Sequence, residues 1–443
     1  MGKGLMRRVS VSAGASRYGV LLGNIGARIA ALVSLTIATL LVARNGGPAV
    51  VGVYALLRVL PSLLGVVISC GLPGAAAYFL AGPYRGDRRL PFTLLGIALV
   101  GGGAGAAIWV GAAPLLGAFL FRDLPLSLIL LAGAAVFTRV VVATAKSCSQ
   151  GSDDLPGANR VIFTEEFMFL PAFGLLWAAG LRGYTLVVAG LLLADTGTSL
   201  LAWSRLIKRG FFRDARPPAL FLARRVVVYG LRAQIGGVIT LMNLRLDFIL
   251  LTVLTGPAVL GVYAVASKFA ELVKIFGMSL TYVLYPRFAK DGPVTAAARA
   301  RKLMPKALVV TAVGVAPLWL IAGFVIPAIY GSQFKPAILP AQIILLGLAL
   351  DGLGGVVTGY LYGIGRPGLN SCAMAVGLGA TVLLDLLLIP RYGALGAAIA
   401  SAVAYTAATL TLVSFFWWVG RPASAEGKGE PVLGGRPAGA ETR

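Results

Sequence analysis

Apolar stretches of bilayer-spanning length recur from one end of the chain to the other, and polar residues gather in the short segments between them. A bilayer core about 30 Å thick needs about 20 consecutive apolar residues in helical form. Read this way, the pattern predicts twelve helices, over residues 18–42, 51–80, 91–121, 125–146, 161–180, 184–205, 226–252, 258–285, 306–329, 336–362, 368–388 and 394–419. Proline and glycine punctuate most links, as at Gly46-Gly47-Pro48, Gly82-Pro83, Gly256-Pro257 and Arg366-Pro367-Gly368. Several stretches exceed the minimum length, which implies tilt or bending. Pro61, Pro73, Pro171 and Pro317 lie inside them and can supply the bends.

Composition agrees with this pattern. Charged residues make up 12% of the 443 and hydrophobic ones 58%, where a soluble domain carries about 25% charged residues. A surface so poor in charge has to face lipid over most of its area. The expected class is an all-α membrane protein. Residues before the first stretch include Lys3, Arg7, Arg8 and Arg17, but no short apolar core with a small-residue cleavage site follows, so the first span is expected to be retained.

The net charge of +23 takes its meaning from position. With the N-terminus in the cytoplasm, the inner segments hold 27 Lys and Arg and the outer loops hold five: Arg44, Arg122, Arg182, Lys335 and Arg391. The positive-inside rule then places both termini in the cytoplasm, and an even number of spans follows. The Ala-, Gly- and Arg-rich chain fits the plasma membrane of a prokaryote. No nucleic-acid partner is implied, because the basic residues are accounted for by topology. There is no histidine, and Cys70, Cys148 and Cys372 stand apart, so no metal site, redox pair or disulfide framework is expected. No phosphate-binding Walker loop occurs, so the chain does not itself use ATP. No cofactor is expected.

One motif occurs twice. GPAVVGVYALLRV begins at Gly47 and GPAVLGVYAVASK begins at Gly256, 209 residues later. Each follows the first helix of a six-helix half and opens the second, so the two copies share one membrane orientation. This is the signature of a parallel repeat related by an axis along the membrane normal. The expected organisation is two pseudo-symmetric six-helix lobes around a central cleft. The N-terminal lobe covers 1–207, a basic cytoplasmic linker 208–225, the C-terminal lobe 226–420, and a disordered cytoplasmic tail 421–443.

Seven basic residues fall inside predicted spans: Arg28, Arg58, Arg139, Arg232, Arg245, Lys268 and Lys274. Charges at that depth are costly, so they face a cavity, pair with acids or reach for the interface. The acids available are Asp195, Asp247, Glu271, Asp351 and Asp385, as charge partners or ion-coupling groups. Glu271 lies three residues from both Lys268 and Lys274 and can neutralise them on one helix face. Two readings stand side by side. In one the charges are structural ion pairs. In the other Arg28, Arg58, Arg232, Arg245, Lys268 and Lys274 line a cationic lumen for an anionic head group such as a diphosphate, which arginine forks bind well. For Arg139 a further alternative is a side chain that snorkels from its helix toward a membrane face, and Glu165-Glu166 reads as a gate or an interfacial pair.

Several passages carry a family resemblance: VVGVYALLRVLPSLLGVVISCGLPGAAAYFLA from Val50, YGLRAQIGGVITLMNLRLDFILL from Tyr229, GVYAVASKFAELVKIFGMSLTYVLYPRFAK from Gly261, IYGSQFKPAILPAQIILLG from Ile329 and LLIPRYGALGAAIASAVAY from Leu387. In these the chain resembles the polysaccharide biosynthesis flippases, the exporters of O-antigen and teichuronic type. These share a superfamily with multidrug exporters and the lipid II flippase. The resemblance implies a V-shaped, two-lobed bundle with helices 1, 2, 7 and 8 lining the cleft. It implies transport of an isoprenoid-diphosphate-linked oligosaccharide from inner to outer leaflet, with no enzymatic activity. Asn243, Arg245 and Asp247 match the family's N-x-R-x-D pattern, whereas Asp385 stands where relatives often carry asparagine. Expected partners are the lipid-linked substrate, the bilayer and the glycosyltransferases or polymerase of the same pathway, around a monomer. The alternatives are a small-molecule exporter of the same superfamily or, less well supported by the short outer loops, a membrane-embedded glycosyltransferase or polymerase.

Overall fold

The computed structural model describes residues 3–82, 84–291 and 293–420, and most side chains from residue 23 onward. The 421–443 tail lies outside the described residues. Among those described there is no strand. The helices are α1 (Lys3–Ile68), α2 (Leu72–Ala81), α3 (Leu90–Phe119), α4 (Leu126–Gly151), α5 (Leu155–Phe167), α6 (Phe169–Ala178), α7 (Gly183–Lys208), α8 (Leu220–Thr255), α9 (Pro257–Ala270), α10 (Lys274–Lys290), α11 (Pro293–Tyr330), α12 (Ile338–Leu348), α13 (Asp351–Gly363), α14 (Pro367–Tyr392) and α15 (Ala394–Val419). A 3₁₀ turn, Ser332–Ala337, precedes α12.

α1 is two arms joined at Gly47, whose φ of 71° and ψ of −172° break the helix. Gly256 sits between α8 and α9 with φ 98° and ψ 171°. The two copies of the repeated motif therefore share one backbone device. A glycine adopts a positive φ that a side chain would disfavour, and a proline opens the next helix at a position where no amide hydrogen is needed.

Eight helices or helix pairs are long and apolar enough to cross a bilayer, and a ninth is counted if the bent pair around α12 and α13 is one span. The expected twelve is reached only by also separating the two arms of α1 and by adding α8 and the pair α9–α10. Those last two carry Arg232, Arg245, Asp247, Lys268, Glu271 and Lys274. Charged and broken membrane helices are the ones that line binding sites.

Several expected single helices are broken. The 51–80 helix stops at Cys70 and Gly71, with φ of 48° and 71°, and Pro73 falls in the first turn of α2. The 161–180 helix starts earlier, at Leu155, and breaks at Met168, so Pro171 falls in the first turn of α6. In both cases the proline opens a new helix and leaves no amide unpaired. The 258–285 helix divides around residues 271–273, where its three charged residues cluster.

The apolar surface faces outward as a membrane protein requires. Val100 is 75% exposed, Leu220 88% and Phe324 77%. Small residues let helices approach closely: Gly277 of α10 packs against Gly355 of α13, and Gly347 of α12 against Ala402 of α15.

The buried core has a definite polarity. Around the links at 43–50, 120–125, 253–258, 330–337 and 390–395 it is one continuous cluster drawn from both halves. At the opposite end it splits. One cluster joins α2, α3, α4 and α7 with the start of α8; the other joins α10, α11, α13 and α15. The halves are fused at one end of the molecule and packed separately at the other.

At the fused end the two motif copies touch each other. A methyl group on Gly52 would overlap the carbonyl oxygen of Pro257, and one on Gly261 would overlap the carbonyl oxygen of Pro48. The contact is reciprocal, as a two-fold relation between the repeats demands. Side chains strap the same end: Arg44 donates to the carbonyls of Ile329 (2.8 Å) and Ala328, and Gln333 Nε2 donates to the Ala43 carbonyl at 3.1 Å. At the other end the 209–219 link is tied to the first half, with the Arg216 amide donating to the Arg88 carbonyl at 2.7 Å and the Ala219 amide to Thr93 Oγ1 at 3.1 Å.

Candidate functional site: a charged cavity between the halves

Below the glycine contact lies a cavity of about 280 Å³. The first arm of α1 supplies Leu35 and Thr39, and the second supplies Tyr54, Arg58 and Ser62. α8 brings Arg245 and Phe248, α9 brings Lys268, α4 brings Arg139 and α5 brings Glu166. Both halves thus contribute basic side chains to one space.

Each base is held. Arg58 Nη2 donates to both carboxylate oxygens of Glu166 at 2.6 Å, and its guanidinium stands 5.7 Å from the Tyr54 ring centre. Arg139 donates from Nε to Asp195 Oδ2 at 3.0 Å. Across the cavity, Lys268 donates to Glu271 Oε2 at 3.0 Å, and Arg245 lies 3.8 Å from the other oxygen of the same carboxylate. Arg245 also stacks over Phe248 at 5.4 Å. Ion pairs of this depth keep the charges tolerable in a low-dielectric interior.

A second cavity of about 390 Å³ adjoins the first. It is lined by Arg28, Lys146, Gln150, Glu165 and Glu166. Lys146 donates to Glu165 at 2.7 Å, and Arg28 donates from Nε to the Asn24 amide oxygen at 3.0 Å. Glu166 belongs to the wall of both spaces.

The candidate residues are therefore distributed unequally. Arg58, Arg245 and Lys268 meet in the central cavity, and Arg28 lines the neighbouring one. Arg232 is exposed on α8 and Lys274 lies 4.0 Å from the Tyr405 ring centre; neither lines the central cavity. Asp195 and Glu271 act as ion-pair partners. Asp351 starts α13 and packs against Gly277. Asp247 turns away from Arg245: Tyr263 Oη donates to its Oδ2 at 2.7 Å, the Phe248 amide donates to its Oδ1 at 2.9 Å, and Tyr263 Oη is 2.8 Å from Ser401 Oγ. Asp385 is fully buried near Asp247, and neither of its carboxylate oxygens has a hydrogen-bond partner among the described residues. Arg139, for which the sequence left a cavity, an acid partner or a membrane face open, lines the central cavity and pairs with Asp195. Glu166 was visible only as half of an acidic pair.

Away from the membrane spans, Asp154 caps α5 by accepting from the Gly157 amide at 3.1 Å. Arg205 grips it at 2.8 and 2.9 Å, and Arg209 adds a contact at 3.2 Å. The hydrogen bonds from Arg205 hold its carboxyl below the usual carboxylate range.

A two-lobed helical membrane protein with a charged cavity between the lobes is the class this architecture defines. The sequence profile of the polysaccharide biosynthesis protein family matches residues 19–291, and the chain belongs to that family. An uncharacterized membrane protein of Methanocaldococcus jannaschii, MJ1068, is 27% identical over 207 residues, which span 45% of this chain and 41% of that protein's length.

Two solved structures share the fold at a TM-score of 0.69. One is an inward-facing multidrug resistance MATE family transporter of the MOP superfamily, 15% identical, covering 90% of this chain and 97% of that one. The other is the lipid II flippase MurJ in an inward closed conformation, 14% identical, covering 90% and 89%. An outward-facing MATE family transporter, 14% identical over 88% of this chain and 94% of that one, scores 0.54.

Proposed function

We propose that this protein is a flippase that carries an isoprenoid-diphosphate-linked oligosaccharide from the inner to the outer leaflet of a prokaryotic plasma membrane. The observation that carries this reading is the cavity between the pseudo-symmetric halves, which gathers Arg58, Arg139, Arg245 and Lys268. Family membership supports it, and so does the positive-inside bias, which puts the fused end outside and the split end inside. The glycan and diphosphate enter from the split end while the lipid tail stays in the bilayer. Arginine and lysine offset the diphosphate charge and lower the cost of removing it from water. Rocking of the lobes parts the Gly52–Gly261 contact and closes the inner side. Asp247 and Asp385 are the ion-coupling groups in this scheme. Binding and transport account for the arrangement without any enzymatic step.

The test is reconstitution in liposomes with a trapped isoprenoid-diphosphate oligosaccharide, comparing wild type with Arg58→Ala and Arg245→Ala. The reading expects leaflet exchange that falls in both variants while folding is retained. A second reading, a small-molecule exporter, is favoured by one observation: Glu166 presents a carboxylate to the same cavity. Efflux of organic cations without exchange of any diphosphate lipid would establish that second reading instead.

A further inference from the structure

We infer that Glu166 is a placeholder for the substrate's anionic group, and that Arg28 receives it when the substrate takes its place. This rests on the diphosphate reading above and concerns the empty state of the same site. With no anion bound, the Arg58 guanidinium is not free: both Glu166 oxygens sit 2.6 Å from its Nη2, the position a phosphate oxygen pair would occupy. An anion must displace that carboxylate to reach Arg58. A displaced carboxylate in a low-dielectric interior needs another cation, because an unpaired buried charge is costly.

The structure supplies the second position. Glu166 lies on the wall between the central cavity and the adjoining one. The adjoining cavity holds two cations. Lys146 is already paired with Glu165. Arg28 bonds only to a neutral amide, Asn24, and is in no ion pair among the described residues. Glu166 is also the penultimate residue of α5, next to the helix break at Met168, so a swing of its side chain does not strain a continuous helix. Glu271 is the corresponding counter-anion for Arg245 and Lys268, but it does not line the cavity, so an anion entering there meets Glu166 and not Glu271. The exchange is therefore assigned to the N-terminal half.

Such a placeholder does two things. It keeps the empty cavity near electroneutral, so the unloaded carrier can return without a bare cation cluster. It also sets a threshold for cargo, because only a group that binds Arg58 better than a carboxylate does will load. A dianionic diphosphate meets that threshold and a sugar hydroxyl or a single carboxylate does not.

The experiment is direct binding to detergent-purified full-length protein, read by tryptophan fluorescence or calorimetry, with inorganic pyrophosphate and farnesyl diphosphate as probes. Glu166→Gln is expected to tighten binding at least about tenfold, the change carried by one charge-assisted hydrogen bond. Arg28→Gln is expected to weaken binding in the wild-type background and to have no effect once Glu166→Gln is present, since there is then no displaced charge to receive. Glu166→Asp, which keeps the charge on a shorter arm, serves as the folded control and is expected to fall between wild type and Glu166→Gln. Unchanged or weaker binding in folded Glu166→Gln overturns the placeholder. An Arg28→Gln effect that persists in the double variant also overturns the proposed exchange, because Arg28 would then touch the anion itself. If no form binds either probe, the diphosphate reading fails and this inference with it.

Discussion

The two halves of this protein share a scaffold and differ in how they handle charge. Gly47-Pro48 and Gly256-Pro257 adopt the same turn, Gly52 and Gly261 meet face to face, and Tyr54 and Tyr263 occupy equivalent places in the motif. In the N-terminal half three acids within the membrane spans each have their own base: Glu166 has Arg58, Asp195 has Arg139 and Glu165 has Lys146. In the C-terminal half Glu271 is shared by two bases. Asp247 is held by Tyr263, and Asp385 has no hydrogen-bond partner among the described residues. A repeat fixes backbone geometry through glycine and proline. It leaves the side chains free to diverge, and here one half pairs its span carboxylates one to one while the other shares one carboxylate between two bases and leaves Asp385 without a hydrogen-bond partner among the described residues.

The sharpest way to break this comparison is at Arg58. Arg58→Ala should destabilise the protein by about 3–5 kcal/mol, because it leaves Glu166 buried without its base, and leaflet exchange should fall with it; thermal unfolding alongside the liposome assay measures both. Next comes the same substitution made in each half. Asp195→Asn leaves Arg139 unpaired and should cost about 2–3 kcal/mol, whereas Asp385→Asn removes an unpartnered buried carboxylate and should be neutral or stabilising by about 1 kcal/mol. Equal losses at the two sites would show that the halves treat their acids alike.

The glycine contact tests the symmetry itself. Gly52→Ala and Gly261→Ala each drive a methyl group into a carbonyl of the other half, and each should cost about 1–3 kcal/mol by overpacking. Both should shift the protein toward forms open at the fused end, which thiol labelling of a cysteine placed at Ala49 would report. A large difference between the two would mean the contact is not reciprocal.

The smallest effect is expected outside the membrane. Asp154→Asn keeps an oxygen that can accept from the Gly157 amide, and should cost about 1–2 kcal/mol through the weakened charge-assisted bonds from Arg205. Because the folded carboxyl titrates below its unfolded value of about 3.9, the contribution of Asp154 is fully present above that value. It is lost as pH falls through the lower folded one. Wild type and Asp154→Asn should therefore converge in stability in strong acid; a gap that widens there would contradict the assignment.

Much of the fold could be read in the chain, because lipid makes the demand simple. Runs of apolar residues have to be helices, a run of about 20 has to cross, and an excess of Arg and Lys marks one side. The repeat was legible for an equally local reason: Gly-Pro at a helix junction is a backbone signal that survives divergence. Less was readable where a helix breaks without a proline inside it. The break around 271–273 depends on how Lys268, Glu271 and Lys274 settle against α8 and α15.

Spacing along one helix also could not say which charges share a cavity. Arg28 and Arg232 carried the same signal as Arg58, a base within a span. Only the packing of α1, α4, α5, α8 and α9 brought Arg58, Arg139, Arg245 and Lys268 together and left Arg232 exposed. The sequence by itself determined the all-helical membrane class and the internal repeat, because both follow from local chemistry that each residue carries with it. The tertiary structure alone decided which acid answers which base, and that Glu166 occupies Nη2 of Arg58. Those pairings join residues 108 and 56 positions apart, and their energy depends on burial that only the assembled helices create.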